Sequence, residues 1–459
     1  MTHSFHPSIL REYDVRGIVG STLTEKDAYA LGRSYAALAD AEGVRSVAVG
    51  RDGRSHSPML ETALVTGLTE GDIDVVRIGM GPSPMLYYAT HELGVGGGIQ
   101  VTGSHNPGDY NGFKLLLNGR SVYGEEIQKL GRIAATGEWN EGHGLVTDQD
   151  IADAYVARLV SDFQGGAFRI GWDAGNGAAG PALEKLVQKL PGEHFTLFTE
   201  VDGSFPNHHP DPTVEANLTA LKELVIAQHL DFGIAFDGDG DRIGAVDGRG
   251  RVIWGDQLMM ILAGPVLNAC PGATIIADVK ASQTLFDRIA DLGGQPLMWK
   301  TGHSLIKAKM KETQAPLAGE MSGHIFFKHR WYGFDDALYA AVRLIEAVAR
   351  SGESLSALMD SMPRSVATPE MRFEVEAARK FAIPSEVLQR LKATGATVDA
   401  TDGARVMNAD GWWLLRASNT QDVLVARAEA KDEAGLARLV AEIDQQLAMS
   451  GAARTAGAH

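Results

Sequence analysis

The sequence predicts three related mixed α/β domains followed by a smaller C-terminal α+β domain. The first observation is a loose internal repeat. Arg45-Ser46-Val47-Ala48-Val49-Gly50-Arg51-Asp52, Phe168-Arg169-Ile170-Gly171-Trp172-Asp173 and Ala273-Thr274-Ile275-Ile276-Ala277-Asp278 each read as a buried strand ending in an acid. Small or polar residues and then a helical pattern follow each one. Strands alternating with helices imply mostly parallel sheets, and the three acids lie on the usual scale of domain sizes. The second observation is length: 459 residues exceed what one ordinary core can organise. The third is a change of pattern after Met362-Pro363-Arg364. A short linker-like stretch runs to Pro369, then Arg372 to Val375, Trp412 to Leu415 and Val423 to Ala428 read as strands, and Leu436 to Met449 as an amphipathic helix. The expected domains are 1–147, 148–253, 254–366 and 367–459.

Composition narrows the function. The apolar share of 44% is that of a globular protein, and the formal net charge is −16. That balance argues against a nucleic-acid surface, which would be basic, yet leaves room for a local cationic cleft that holds an anionic small molecule. Cys270 is the only cysteine, so no intrachain disulfide forms and a reducing cytoplasm fits. Met1 to Leu10 lacks a basic region followed by an apolar one, and no stretch is long enough to span a bilayer; neither a signal peptide nor a membrane partner is expected.

Two loops carry chemistry. Gly96-Gly97-Gly98-Ile99-Gln100-Val101 leads into Thr102-Gly103-Ser104-His105-Asn106-Pro107. Gly103 permits a tight turn, and Ser104 stands at a strand end, where α/β sites form. Thr102 and Asn106 occupy the places where a hydrolase elbow needs glycine. A plain Ser-Asn-Pro turn is the competing reading. Lys114, just downstream, adds a cation suited to a phosphoryl group or to proton exchange.

The second loop, Asp237-Gly238-Asp239-Gly240-Asp241-Arg242, follows the apolar strand Phe232-Gly233-Ile234-Ala235-Phe236. Alternate glycines let three hard carboxylates curl around one ion, which suits Mg²⁺. An EF-hand is excluded, because Arg242 stands where glycine is required and Gly248 where glutamate is. The Asp231-Phe232-Gly233 triplet has none of the other kinase motifs around it. A solvated Asp-Gly turn is the alternative.

Two further loops are weaker alone. Gly319-Glu320-Met321-Ser322-Gly323-His324 offers Glu320 and Ser322 to sugar hydroxyls, and Lys300-Thr301-Gly302-His303 places another histidine near a turn. Arg416-Ala417-Ser418-Asn419-Thr420 follows a strand and can cradle a phosphate, or can be a polar turn. A rival signature also stands in the chain. Gly175-Asn176-Gly177-Ala178-Ala179-Gly180 fits a dinucleotide loop with Glu200 downstream, the pattern of a NAD-dependent oxidoreductase. That reading leaves the serine and aspartate loops unexplained.

The four loops in this order, over nearly the whole chain from Arg11-Glu12-Tyr13-Asp14-Val15-Arg16-Gly17 onward, resemble the α-D-phosphohexomutase family. The resemblance implies four domains around a central cleft and reversible interconversion of hexose 1-phosphate and hexose 6-phosphate through a phosphoserine and a bisphosphorylated sugar. It implies Ser104 as the phosphoserine, with Asp237, Asp239 and Asp241 binding Mg²⁺ and the serine's phosphate as a further ligand. Glu320 and Ser322 would hold sugar hydroxyls, and Arg416, Ser418, Asn419 and Thr420 the substrate phosphate. Tyr13, Arg16, His105, Lys114, Arg242, Lys280, His303 and His324 match cleft positions, with Lys114 and His303 as candidates for proton transfer and Arg242 as a charge neutraliser. Phosphorylated hexoses are the expected partners and glucose 1,6-bisphosphate the expected activator. Gly319 to His324 looks like the bacterial phosphomannomutase/phosphoglucomutase branch; the phosphoglucosamine mutase branch usually has Gln where Met321 stands. A non-catalytic phosphosugar-binding protein is the remaining alternative. The sequence does not fix the oligomeric state.

Overall fold

A computed structural model describes residues 2–419 and 422–452. Each of the three repeat strands is the centre of its own sheet. Ser46–Arg51 lies between Asp74–Met80 and Gly97–Val101, parallel to both. Phe168–Asp173 lies in the same way between Gly192–Leu197 and Phe232–Phe236. Thr274–Asp278 lies between Gln295–Trp299 and Leu317–Gly319. Helices connect the parallel strands, as a crossover requires.

The sheets are more mixed than the repeat predicted. In each, the third parallel strand is followed by an antiparallel neighbour: Tyr110–Leu117, Ile243–Asp247 and Ile325–Phe327. The connecting loops explain this. A parallel return needs a dozen or more residues, and the loops after Val101, Phe236 and Gly319 are too short, so the chain must turn straight back. These three short loops are the serine loop, the aspartate loop and the Glu320 loop. The repeat thus places three candidate loops at one topological position.

The C-terminal domain is built differently. Its six-stranded sheet is antiparallel throughout, with Gly411–Ala417 and Val423–Ala430 at its centre and the helices Ala382–Ala393 and Glu433–Met449. Trp413, Leu415, Leu424, Ala426, Leu439 and Ile443 form its core. The first domain has its own core around Tyr35, Val47, Val49, Ile99 and Phe113. One continuous apolar cluster joins the second and third domains and takes in Met85 to Tyr88 of the first. The cleft walls therefore rest on shared packing.

Two local features generate tests. In the first domain, helices Glu25–Ala41 and Ser57–Glu70 cross with backbones nearly touching. A Cβ at Gly32 would lie 2.3 Å from the Leu64 carbonyl oxygen, and one at Gly67 would lie 2.2 Å from that of Tyr29. Gly32→Ala or Gly67→Ala should cost about 1–3 kcal/mol, read as a lower unfolding midpoint in urea.

The helix Ala337–Ser351 begins at Asp336, whose carboxylate caps the Tyr339 N–H and accepts from the Tyr155 hydroxyl at 2.9 Å. Burial, against the help of those donors, lifts its pKa to about 7. The folded chain then holds a proton that the unfolded chain releases near pH 4, so stability falls as pH rises from about 4 to about 7 and is level above that. Asp336→Asn should flatten this slope, measured as denaturation midpoints between pH 4.5 and 8.

Candidate functional site

The serine loop is strained and heavily braced. Ser104 has φ 47°, the left-handed region a non-glycine residue rarely enters. Its N–H donates to Thr102 Oγ1 at 2.9 Å. Its hydroxyl lies between two acceptors, 3.0 Å from Asp237 Oδ2 and 3.2 Å from His105 Nδ1. Burial and the neighbouring Arg242 and Arg16 push the His105 pKa well below the ordinary histidine value, so the imidazole is neutral and can accept.

Arg54 holds the loop's shape. Its buried guanidinium donates to the carbonyls of Ser104, Asn106, Pro107 and Tyr110 and pairs with Asp52 at 3.2 Å. Asp52 in turn accepts from the Gly103 N–H at 2.9 Å. Gly103 is small because a Cβ there would strike the Arg54 guanidinium at 2.1 Å. Arg16 donates to the Gly103 carbonyl and pairs with Asp14 at 2.5 Å. Arg54 lies outside the four loops that the sequence singles out. Only its carbonyl partners, fifty or more residues downstream, reveal its role.

The aspartate loop lies against the serine loop. Asp237, Asp239 and Asp241 are fully buried, and one oxygen of each falls within 4.8 Å of the others. Lys114 donates to Asp239 Oδ2 at 2.6 Å and also to Asp241. Ser83, missed by the sequence reading, donates to Asp239 Oδ2 at 2.5 Å. Burial opposes every charge here, and the winners differ. Asp237 is pushed well above the usual carboxylate range by burial and by its two neighbours. Lys114 and His324 overcome burial at Asp241 and hold it well below that range. Lys114, despite burial, is raised well above its ordinary value by Asp239 and Asp241 and stays a cation. Asp239 Oδ1 and Asp241 Oδ1 are buried with no hydrogen-bond donor among the described residues. Orphaned hard oxygens on two of three adjacent carboxylates fit a divalent cation of the Mg²⁺ kind.

The third loop closes the far side. Arg242 and His324 form a backbone bridge, and their side chains meet at 3.4 Å. Glu320 accepts from the Gly302 N–H at 2.6 Å and lies 3.2 Å from His324 Nδ1, which also meets Ser322 Oγ at 2.9 Å. Burial disfavours a charged His324, but Asp241 and Glu320 lift its pKa to about 9. His303 stacks on His324 with centroids 5.6 Å apart. Burial and Lys307 drive the His303 pKa well below the ordinary value, so these two imidazoles face each other in opposite states. Asp278 accepts from the Met321 N–H at 3.1 Å, the same brace, two residues past the strand end, that Asp52 gives Gly103.

The C-terminal domain reaches the cleft through Tyr13. The Tyr13 hydroxyl donates to the Thr301 carbonyl at 2.8 Å and receives the Asn419 amide. Asp402 accepts from Arg416 Nε at 2.9 Å and from the Thr301 N–H at 3.1 Å, tying that domain to the third. Lys280 pairs with Glu370 at 3.2 Å; that lysine, more than burial can oppose, holds the glutamate near pKa 2. Ser418 is buried in the same loop, and Thr420 lies outside the described residues. Apart from Thr420, the four predicted loops therefore line one cleft.

The dinucleotide-like glycines have another use. The Ala178 N–H donates to the Gly238 carbonyl at 2.9 Å, and a Cβ at Gly177 would lie 2.8 Å from that oxygen. A Cβ at Gly180 would lie 2.0 Å from the Thr199 carbonyl. These glycines let the aspartate loop and the neighbouring segment pack closely.

A serine and three aspartates on equivalent loops, faced by a fourth domain with an arginine loop, define the four-domain phosphohexomutase class. The chain belongs to the phosphoglucomutase/phosphomannomutase family. The family's alpha/beta/alpha domains I, II and III match residues 7–141, 153–250 and 254–366, and its C-terminal domain matches 370–446. The chain is 46% identical over 434 residues to a phosphomannomutase/phosphoglucomutase of Pseudomonas putida, covering 94% of each. It is 44% identical to a phosphoglucomutase of Neisseria gonorrhoeae, covering 94% of this chain and 95% of that one. A crystal structure of a phosphoglucomutase/phosphomannomutase family protein from Burkholderia thailandensis superposes with a TM-score of 0.92 at 43% identity, over 99% of both chains. No helix among the described residues is long and apolar enough to cross a membrane.

Arg54→Ala should leave four carbonyls without their donor and Asp52 without its cation, costing about 3–5 kcal/mol. Amide hydrogen exchange should rise first in residues 103–109, and Arg54→Lys should restore only part of the protection.

Proposed function

We propose that this protein interconverts hexose 1-phosphates and hexose 6-phosphates of glucose and mannose through a phosphorylated Ser104. The observation that carries this reading is the Ser104 hydroxyl, on strained backbone, 3.0 Å from a loop of three buried carboxylates. A serine alone fits many roles. A serine braced against a divalent-cation loop fits phosphoryl transfer, where positioning and charge neutralisation supply most of the rate.

In the proposed cycle, the free hydroxyl of a bound hexose phosphate attacks phosphoserine 104. The sugar oxygen–phosphorus bond forms as the Oγ–phosphorus bond breaks, leaving Ser104 free and the sugar bisphosphorylated. The bisphosphate reorients, and Ser104 takes back the other phosphate. His303, kept neutral by burial and Lys307, accepts the attacking hydroxyl's proton. Lys114, held as a cation, is suited to charge stabilisation more than to proton abstraction. Arg242 and the His324 cation balance charge on the transferring group, Glu320 and Ser322 orient sugar hydroxyls, and the Arg416–Thr420 loop clasps the phosphate that is not reacting. Arg416 would exchange Asp402 for that phosphate. Asp237, Asp239 and Asp241 would hold Mg²⁺, which when bound neutralises charge on the phosphoryl oxygens. Free glucose 1,6-bisphosphate would act as activator by phosphorylating Ser104 after an abortive release.

The test is a coupled mutase assay with Mg²⁺ and a trace of glucose 1,6-bisphosphate. Glucose 1-phosphate and mannose 1-phosphate should both turn over, and Ser104→Ala should lose ~10³-fold or more in kcat. Near wild-type turnover in Ser104→Ala would sink the reading. Inactivity toward both sugars, with activity on glucosamine 1-phosphate, would move the substrate and keep the chemistry.

A further inference from the structure

Away from the cleft, helices Gly255–Ala269 and Ala337–Ser351 pack against each other and leave an open pocket of about 140 Å³ between them. Arg343, Glu346, Ala347 and Arg350 share one face of the second helix, at the spacing i, i+3, i+4, i+7. Small side chains, Ala269 on the first helix and Ala347 on the second, leave the space unfilled. None of the lining residues belongs to the four cleft loops. Helix Ala337–Ser351 meets the aspartate loop at its start, through the Ala337 N–H and the Gly240 carbonyl. At 1.5 Å per residue, Arg343 stands about 9 Å and Arg350 about 20 Å along the axis from that contact.

The pocket has two unlike sides. Leu262 and Pro265 make one of them apolar, and Arg330, Arg343 and Arg350 make the other cationic. Glu346, among the arginines, is already engaged. Its Oε1 accepts from the Gln164 N–H at 2.7 Å and from Arg330 at 2.9 Å, and its Oε2 from Arg330 at 3.0 Å. Asp162 accepts from Arg330 Nε at 2.9 Å. Three arginines thus face two carboxylates, and one positive charge is left over. His329 senses that charge. Burial, then Arg343 and Arg330, push its pKa down to about 4, and its neutral Nδ1 accepts from Arg343 at 3.1 Å.

N–H donors are left over as well. A guanidinium carries five, and Arg343 commits three of them, to the His329 carbonyl, the Tyr339 hydroxyl and His329 Nδ1. Its buried Nε makes no hydrogen bond among the described residues, although Glu346 Oε2 lies 3.2 Å away. Arg350, which is exposed, commits one donor, to the Gln164 side-chain oxygen.

We propose that this pocket binds a short-chain aliphatic monocarboxylate, its carboxylate on Arg343 and Arg350 and its chain against Leu262 and Pro265. Charge, shape and size select that class together. One negative charge neutralises the surplus, and the two oxygens of a carboxylate match the fork of a guanidinium. A cavity of ~150 Å³ takes one benzene ring, so this pocket takes about six heavy atoms and is too small for a hexose phosphate. Inorganic phosphate would leave the apolar side in contact with water.

Saturation-transfer NMR on the full chain, with butanoate as the probe, should show saturable binding with a Kd on the order of 1 mM. 1-Butanol, of the same size and uncharged, should bind at least ~10-fold more weakly. Inorganic phosphate at equal concentration should not displace butanoate. Glucose 1-phosphate should not displace it either, because the pocket shares no residue with the cleft loops. Arg350→Gln removes free donors and Ala347→Met fills the gap; each should weaken butanoate binding ~10-fold. No saturable binding, equal binding of 1-butanol, displacement by phosphate or by glucose 1-phosphate, or unchanged affinity in either folded variant overturns the proposal.

Discussion

Burying three carboxylates side by side is the constraint on which the rest of the cleft depends. Asp237, Asp239 and Asp241 have no access to solvent, and like charges in a low dielectric repel strongly. The fold answers from three directions. The first domain supplies Lys114 and Ser83, the second domain's own Arg242 follows the loop directly, and the third supplies His324. Backbone contacts follow the same lines: the Ser83 N–H donates to the Asp239 carbonyl and the Ala337 N–H to the Gly240 carbonyl. The aspartate loop is thus the joint at which three domains meet.

The repeat explains how such a centre could be assembled. Each sheet turns back antiparallel after its third parallel strand, because the connecting loop is too short to cross over. One copy of that loop carries Ser104, one the three aspartates and one Glu320. Two of the strand-terminal acids kept the same duty, Asp52 capping Gly103 and Asp278 capping Met321. The third, Asp173, instead accepts from the Gly175 N–H and meets His208 at 3.0 Å, which fixes the glycine loop beneath the aspartates.

The C-terminal domain has no share in that repeat. It is antiparallel and has its own core, and it meets its neighbours through a small apolar cluster, Trp412 and Leu414 against Val279, and through polar pairs: Tyr13 with Asn419, Arg416 with Asp402, Lys280 with Glu370. The apolar cluster joining the second and third domains is far larger and does not come apart without exposing its core.

Much of this was legible in the residues. The central strands, the α+β last domain, Ser104 and the alternating aspartates stand in the chain as local patterns, since strand periodicity and loop glycines act over a few residues. Others were not legible. Arg54 stands outside every motif until its guanidinium is seen holding four carbonyls between Ser104 and Tyr110, and Ser83 carries no local signal at all. Lys114 and His303 were both candidates for proton transfer. Burial and the surrounding charges now separate them, one fixed as a cation and the other neutral. The sequence by itself determined the elements, the four loops and the chemistry of their donors, because those depend on neighbours along the chain. Only the tertiary structure decided which loops face one another, which buried charges are paired and what protonation each group holds, because desolvation and Coulomb interactions depend on distance through space.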